Sequence, residues 1–173
     1  MERKARANFC GLKLKKFIYL ISPNKIDRDF YKSLNKVLSS GIVKYFQLRL
    51  KIDQNSNFIK IAKKISLITK KHKVKFIIND FPLLAKLTKA DGCHLGQKDV
   101  SVKFARKLLK KNKIIGITCH GSKKLILNAR KQNVDYTALG SFFKSKLKPS
   151  AKKAKKNLIR WSKQRTNLPI VAI

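Results

Sequence analysis

Two short segments concentrate the residues that could do chemistry. Phe76-Ile77-Ile78-Asn79-Asp80 and Asp91-Gly92-Cys93-His94-Leu95-Gly96-Gln97-Lys98-Asp99 each read as a short buried strand with a carboxylate at or just past its C-terminal end. The chain has 43 Lys plus Arg and only 8 acids, so an acid kept at the mouth of a strand needs a reason. Adjacent strands lie ~4.8 Å apart, so Asp80 and Asp99 at neighbouring strand ends suit a shared hard cation such as Mg2+. A hard cation beside many lysines suits a diphosphate substrate. Either aspartate alone could instead cap a helix, Asp80 before Phe81-Pro82 and Asp99 before Val100. The pair at matching ends is what points to metal.

Other strand ends add groups of the same kind. In Gln47-Leu48-Arg49-Leu50-Lys51, alternation puts Gln47, Arg49 and Lys51 on one side and Leu48 and Leu50 on the other. Polar and cationic groups gathered at such a mouth are costly unless an anion neutralises them; the alternative is an ordinary polar strand end. Thr118-Cys119-His120 offers a hydroxyl and an imidazole at the end of another strand. His94, inside a strand, is expected to be packed and hydrogen-bonded, and His72, between Lys71 and Lys73, to be solvated. The loop Gly140-Ser141-Phe142-Phe143-Lys144-Ser145-Lys146-Leu147-Lys148-Pro149 could wrap a phosphate through backbone N–H and ammonium contacts, or be a basic surface loop.

These ends must be positioned by strands that alternate with helices. The strands are expected at Phe17–Ser22, Lys44–Leu50, Lys75–Asp80, Gly92–Leu95, Ile114–Cys119, Asp135–Gly140 and Pro169–Ile173. The helices fall between them, at Arg28–Ser39, Asn57–Lys71, Pro82–Thr88, Val100–Lys111, Lys123–Gln132 and Ser150–Gln164. Phe58, Ile61, Ala62, Ile65 and Ile68 recur at helical spacing with lysines opposite, and Asn57 stands where an N-cap would. The fourth helix is expected to bury Val102, Phe104, Ala105, Leu108 and Leu109. Strict alternation implies a parallel α/β sheet, and the unbroken apolar strand cores imply cover on both faces. Either a doubly wound sheet or a (β/α)8 barrel would fit. The first strand leads to Ser22-Pro23-Asn24-Lys25 rather than a glycine-rich fingerprint, which disfavours dinucleotide binding.

Composition narrows the function classes. At 173 residues and 43% hydrophobic, the chain reads as one α/β domain over 17–173 behind a basic, poorly ordered extension over 1–16. A formal net charge of +35 predicts weak, salt-sensitive adhesion to polyanions. Lys dominates over Arg and the aromatics lie in apolar runs, so specific nucleic-acid reading is not expected. The single Glu, Glu2, lies in the tail, so carboxylate chemistry must come from the aspartates. Cys10, Cys93 and Cys119 fit neither a zinc pattern nor a disulfide framework, which makes a reducing cytoplasm the expected setting. No apolar run is long enough to span a membrane.

In the order and spacing of these motifs the chain resembles the thiamine phosphate synthase family. The resemblance is carried by 47–51, Ile78-Asn79-Asp80, 91–99, Gly116-Ile117-Thr118-Cys119-His120, Asp135-Tyr136 leading to the Gly140 loop, and Pro169-Ile170-Val171-Ala172-Ile173. It runs from about Phe17 onward, and the block around His94-Leu95-Gly96-Gln97 with Asp99 is its most specific part. The resemblance implies a (β/α)8 TIM barrel and a cytoplasmic transferase of thiamine biosynthesis. Such an enzyme condenses an aminopyrimidine carrying a methyl diphosphate with a thiazole phosphate, giving thiamine phosphate and pyrophosphate. It implies Mg2+ as cofactor, held by Asp80 and Asp99. Gln47, Arg49, Lys51, Asn79, Thr118 and Lys148 would hold the pyrimidine and its diphosphate, with Lys51, Lys148 and Thr118 as the catalytic groups. Ser145, Lys146 and Leu147, with Lys148, would meet the thiazole phosphate. The partners implied are these small molecules, with no specific nucleic acid and no membrane.

The sequence departs from the family pattern at a few places. Leu50 stands where Glu is common, Thr118 where Ser is usual, and Ser145-Lys146-Leu147-Lys148 where the family carries Thr-x-Thr-Lys. The pattern also continues past the seventh strand into a Gly-Gly-Ile turn, a helix and an eighth strand, whereas this sequence stops at Ile173. A barrel truncated there would leave two strand edges unpaired, at ~1–3 kcal/mol for each buried group left without a partner. An incomplete sequence, a decaying gene or completion by another chain would account for it, the first being preferred. Two other readings stand beside the synthase: a thiazole tautomerase using His120 for proton transfer, and a catalytically impaired, polyanion-binding relative.

Overall fold

Helix and strand alternate without exception in the computed structural model, which describes residues 17–50, 56–143 and 153–173. The described residues form two compact units, each a parallel sheet with its helices. One is built from residues up to His94 together with 108–113, the other from 95–107 and 114–173.

In the first unit, β1 (Ile18–Ile21), β2 (Val43–Leu48), β3 (Lys75–Asn79) and β4 (Gly92–Leu95) lie side by side in chain order. The connecting helices are α1 (Arg28–Ser39), α2 (Ser56–Lys71) and α3 (Pro82–Leu87). Phe46, Leu48 and Ile78 point to one face and Ile77 to the other, and all four are completely buried, so the sheet is covered on both sides. The α2 stripe forms as its periodicity predicts: Phe58, Ile61, Ala62 and Ile65 are buried and Ile68 half-buried. Asn57 lies inside the first turn of α2 rather than ahead of it, because the helix begins at Ser56. The α1 cap is Asp27, whose carboxylate accepts the Phe30 amide at 2.8 Å. His72 is not simply solvated: its Nε2 lies 2.9 Å from Asn35 Oδ1, tying the end of α2 to α1.

In the second unit, β5 (Ile114–His120), β6 (Tyr136–Leu139) and β7 (Ile170–Ala172) pair in order, with α4 (Val102–Leu109), α5 (Lys123–Lys131) and α6 (Asn157–Arg165) between the strands. In α4 the buried stripe is Val102, Ala105 and Leu109, with Leu108 half-buried, and Phe104 is 54% exposed, contrary to the expectation from its apolar character. Position 104 falls one residue ahead of the 102–105–109 line, about 100° round the helix, so it faces outward. The sixth helix begins at Asn157, and the rest of the stretch expected from Ser150 lies partly outside the described residues.

One device recurs in both units and uses two of the scarce acids. Asp91 precedes β4; its carboxylate accepts the Phe76 amide at 2.9 Å while its own amide donates to the Phe76 carbonyl at 2.8 Å. Asp135 precedes β6 and does the same to Ile115, at 2.7 and 2.8 Å. A cation closes each clasp: Lys75 Nζ 3.1 Å from Asp91, and Arg106 Nη2 2.7 Å from Asp135. Asp135 therefore fixes where β5 and β6 begin. The next residue, Tyr136, lies so close over Gly116 that a Cβ there would sit 2.0 Å from the ring. Both motif positions thus have structural roles at the entry ends of the strands.

Candidate active site

At the exit ends of the first unit's strands, the polar residues do not stand singly. Tyr19 on β1, Gln47 on β2 and Asn79 on β3 form a chain of hydrogen bonds across three strands. Tyr19 Oη donates to Gln47 Oε1 at 2.9 Å, and Gln47 Nε2 donates to Asn79 Oδ1. Strand register makes this possible: Tyr19 pairs with Tyr45 and Gln47 with Ile77, so side chains two residues apart share a face. Gln47 is 3% exposed, and a buried amide of this kind is tolerated because both of its ends are satisfied.

Arg49 follows two residues on, half-buried. The turn after β1 clasps it. Ser22 Oγ accepts the Arg49 amide at 2.9 Å, and Arg49 Nη1 donates to Asn24 Oδ1 at 3.2 Å. Ser22-Pro23-Asn24 is thus a device for presenting a guanidinium, a role its sequence does not advertise. Leu48 and Leu50 are buried. Lys51 lies outside the described residues.

Asp80 ends β3 in the left-handed region, φ +63°, with its amide bonded to the His94 carbonyl at 2.8 Å. Asp80 is not at the N-cap position of α3; Phe81 is, and its own side chain makes no cap hydrogen bond. Left-handed backbone is uncommon outside glycine but tolerated by Asp, and such geometry clusters at functional positions. His94 itself is buried.

In the second unit, Asp99 is not a helix cap either. The α4 amide at Phe104 is taken by Ser101 Oγ at 3.2 Å. Asp99 instead folds back so that Oδ2 accepts the Gly96 amide at 2.6 Å, and a Cβ at Gly96 would lie 3.0 Å from that oxygen. The turn fixes one carboxylate oxygen, Oδ2. Gln97, within the same turn, donates from Nε2 to the Thr118 carbonyl at 2.5 Å, tying this turn to the end of β5 where the Thr118 hydroxyl lies. His120, at the tip of β5, has φ +50°, is exposed, and accepts the Gly140 amide at 3.2 Å. Cys119 beside it is buried, which pushes its thiol up to about 12, so it is protonated and inert at neutral pH. Ser145, Lys146, Leu147 and Lys148 lie outside the described residues.

Among the described residues no cluster of three or more His, Cys, Asp or Glu could hold a metal by protein ligands alone. The available donor set is carboxylate oxygen without thiolate. That suits Mg2+, which binds through one or two carboxylates and completes its shell with water and substrate phosphate. No described helix is long and apolar enough to cross a membrane. An open concavity of about 650 Å³ lies along α6, lined by Lys156, Arg160 and Lys163 among others, and includes none of these strand-end residues.

Tyr19, Ser22, Asn24 and Gln97 are the site residues that sequence reasoning missed. Tyr19 sits in an apolar strand and reads as core. A polar residue directly at or after a strand's exit end is the signal that would have found Ser22, Asn24 and Gln97.

Residues 18–173 match the family model described as thiamine monophosphate synthase. The thiamine-phosphate synthase of Pelagibacter ubique is 55% identical over 160 residues, covering 92% of this chain and 77% of that protein. That of Clostridioides difficile is 38% identical over 158 residues, covering 90% and 74%. Among solved structures, the thiamine phosphate pyrophosphorylase from Pyrococcus furiosus superposes with a TM-score of 0.79 at 25% identity, over 91% of this chain and 74% of that one. The fold is accordingly α/β of the TIM-barrel type. With a family model matching residues 18–173 and a relative 55% identical over 92% of the chain, the chain belongs to the thiamine monophosphate synthase family.

Proposed function

We propose that this chain is a Mg2+-dependent thiamine phosphate synthase of the cytoplasm, joining an aminopyrimidine methyl diphosphate to a thiazole phosphate. In the reaction the bond between the pyrimidine methylene carbon and the bridging diphosphate oxygen breaks, and pyrophosphate leaves with the electron pair. The thiazole ring nitrogen then forms the new C–N bond to the methylene carbon. The barrier lies in the charge that grows on the leaving group, so groups placed to meet that charge lower it. Arg49, held by Ser22 and Asn24, is presented for this task, and Lys51 and Lys148 share it. Gln47 and Asn79 hold the pyrimidine ring, and the Thr118 hydroxyl donates to the diphosphate. Ser145, Lys146 and Leu147 receive the thiazole phosphate. Asp80 and Asp99 supply carboxylate oxygens to Mg2+, which when bound neutralises diphosphate charge. No protein nucleophile is required, and the buried, protonated Cys119 is not available as one.

One observation carries the metal reading. Of the described aspartates, Asp27 caps α1, Asp29 lies in its first turn, and Asp91 and Asp135 clasp strands. Asp99 alone is folded into a turn at a strand exit with one oxygen fixed and no helix to cap. The test is a thermal melt with Mg2+ and inorganic pyrophosphate together. The mixture should raise the melting temperature of the wild type, and Asp80→Ala should abolish the rise. A rise with RNA and none with the pyrophosphate mixture would replace the synthase by a polyanion-binding module.

A further inference from the structure

We propose that the concavity along α6 is a second anion site, separate from the strand-end residues, and that its ligand is a linear polyphosphate chain. α6 carries its charge in unfavourable places. Lys156 stands at the N-cap position, its side chain makes no cap hydrogen bond, and the first turn holds no acid. The N-terminal end of a helix is its positive pole, so a cation there has the wrong sign. The backbone at Lys156 is already helical, φ −58° and ψ −33°, so Arg160 and Lys163 share its face at the i, i+4, i+7 spacing. Like charges at such spacing oppose the helix that presents them. Only Lys163, in the last turn, suits the dipole.

Nothing in the second unit relieves these charges. None of the three side chains has a hydrogen-bond or ion-pair partner among the described residues. Past Asp99 the sequence holds one acid, Asp135, and its carboxylate is already held by Arg106 and the Ile115 amide. Proteins break local rules of this kind at functional sites. The face is also concave, about 650 Å³, with Ile159 and Gln164 beside the three cations. α5 braces it: Arg130 Nη1 donates to the Arg165 carbonyl at 3.1 Å, and Lys123 Nζ lies 5.1 Å from the centroid of the Trp161 ring. Successive cations are about 6 and about 4.5 Å apart in helix rise. A single phosphate cannot meet all three, whereas a chain of phosphates carries its charges in a row. Arg160, in the middle, can take a phosphate by two parallel N–H bonds, with Lys156 and Lys163 as point charges on either side.

The experiment is titration calorimetry with inorganic tripolyphosphate, without divalent metal, at about 0.15 M salt, where exposed charges more than about 8 Å apart are largely screened. Three proteins are compared: the wild type, the α6 triple variant Lys156→Gln, Arg160→Gln, Lys163→Gln, and the α2 triple variant Lys60→Gln, Lys63→Gln, Lys70→Gln. The last removes the same charge from exposed lysines of the first unit. The strand-end residues are identical in all three, so binding there is common to them. The α6 variant should bind about ten-fold more weakly than the wild type, and the α2 variant within about two-fold of it. Without ligand the α6 variant should melt no lower than the wild type, because repulsion along the helix is relieved, so its weaker binding is not unfolding. ATP under the same conditions distinguishes the sources of such a chain. Affinity equal to that for tripolyphosphate assigns the bare chain, and tighter binding that the α6 variant loses assigns a nucleotide. Equal weakening in the two variants, or no saturable binding by the wild type, overturns the proposal. The synthase reading does not depend on α6 and stands in either case.

Discussion

Asp99 shows how a single residue's role depends on what its neighbours already do. Because Ser101 caps α4, the Asp99 carboxylate is free to fold onto Gly96 at 2.6 Å. Asp99→Asn should keep that turn, since an amide oxygen can still accept from Gly96, yet lose the charge needed at the metal. We expect kcat/KM to fall ~10²–10³-fold, the range for losing one electrostatic partner of a transition state. The melting temperature should move by less than about 2 °C, and a large fall would mean that the residue is structural. Asp135 is the converse. Asp135→Ala strips partners from the Ile115 amide and Arg106 and should cost ~1–3 kcal/mol by urea unfolding, with kcat per folded molecule unchanged. Cys119 supplies a pH dependence. Its folded thiol is raised by burial from the ordinary 9.0 to about 12, so above pH 9.0 the unfolded chain loses the proton first. That contribution to stability is complete below pH 9.0 and disappears between 9.0 and about 12. Wild type should lose more stability than Cys119→Ala between about pH 8 and about pH 10.5, and equal losses would contradict the assignment. At this scale, strand parity made Gln47 and Arg49 legible, and Asn79 was marked by its place at a strand end. Tyr19 was not, because a tyrosine in an apolar run looks like core, and its partner lies 28 positions away.

At the level of elements, period and burial agree almost everywhere. The apolar strands and the α2 stripe could be read directly, because strands covered on both faces and a helix covered on one leave different signatures. In α4 the sequence offered five apolar residues in eight positions, more than one face can bury. Which line faced inward was settled by the packing of Val102, Ala105 and Leu109, not by periodicity. Phe104→Ser should therefore change unfolding free energy by no more than about 0.5 kcal/mol. A loss of several times that would place Phe104 in a buried contact. Gly116→Ala should behave oppositely. The new methyl would meet Tyr136 at 2.0 Å, and displacing a buried ring commonly costs ~1–3 kcal/mol. Helix ends were the least legible feature. Ser101 and Phe81 stand directly before α4 and α3, where Asp99 and Asp80 looked like caps.

For the molecule as a whole, a formal charge of +35 makes anions the natural ligands but does not choose among them. Retention on heparin should be strong at low salt and lost by roughly 0.5 M, where the screening length falls to a few ångströms. Specificity has to come from the strand ends, and there the alternation of elements, the order of the motifs and the family similarity agree. The sequence could not say how Arg49 is held, because Ser22 and Asn24 reach it only once β1 and β2 pair. The central claim is the coupling of two substrates with release of pyrophosphate, and product analysis tests it most directly. Incubated with both substrates and Mg2+, the protein should form thiamine phosphate and pyrophosphate in equal amounts, with neither formed when the thiazole phosphate is omitted. Pyrophosphate released without thiamine phosphate, or no product of either kind, would contradict it.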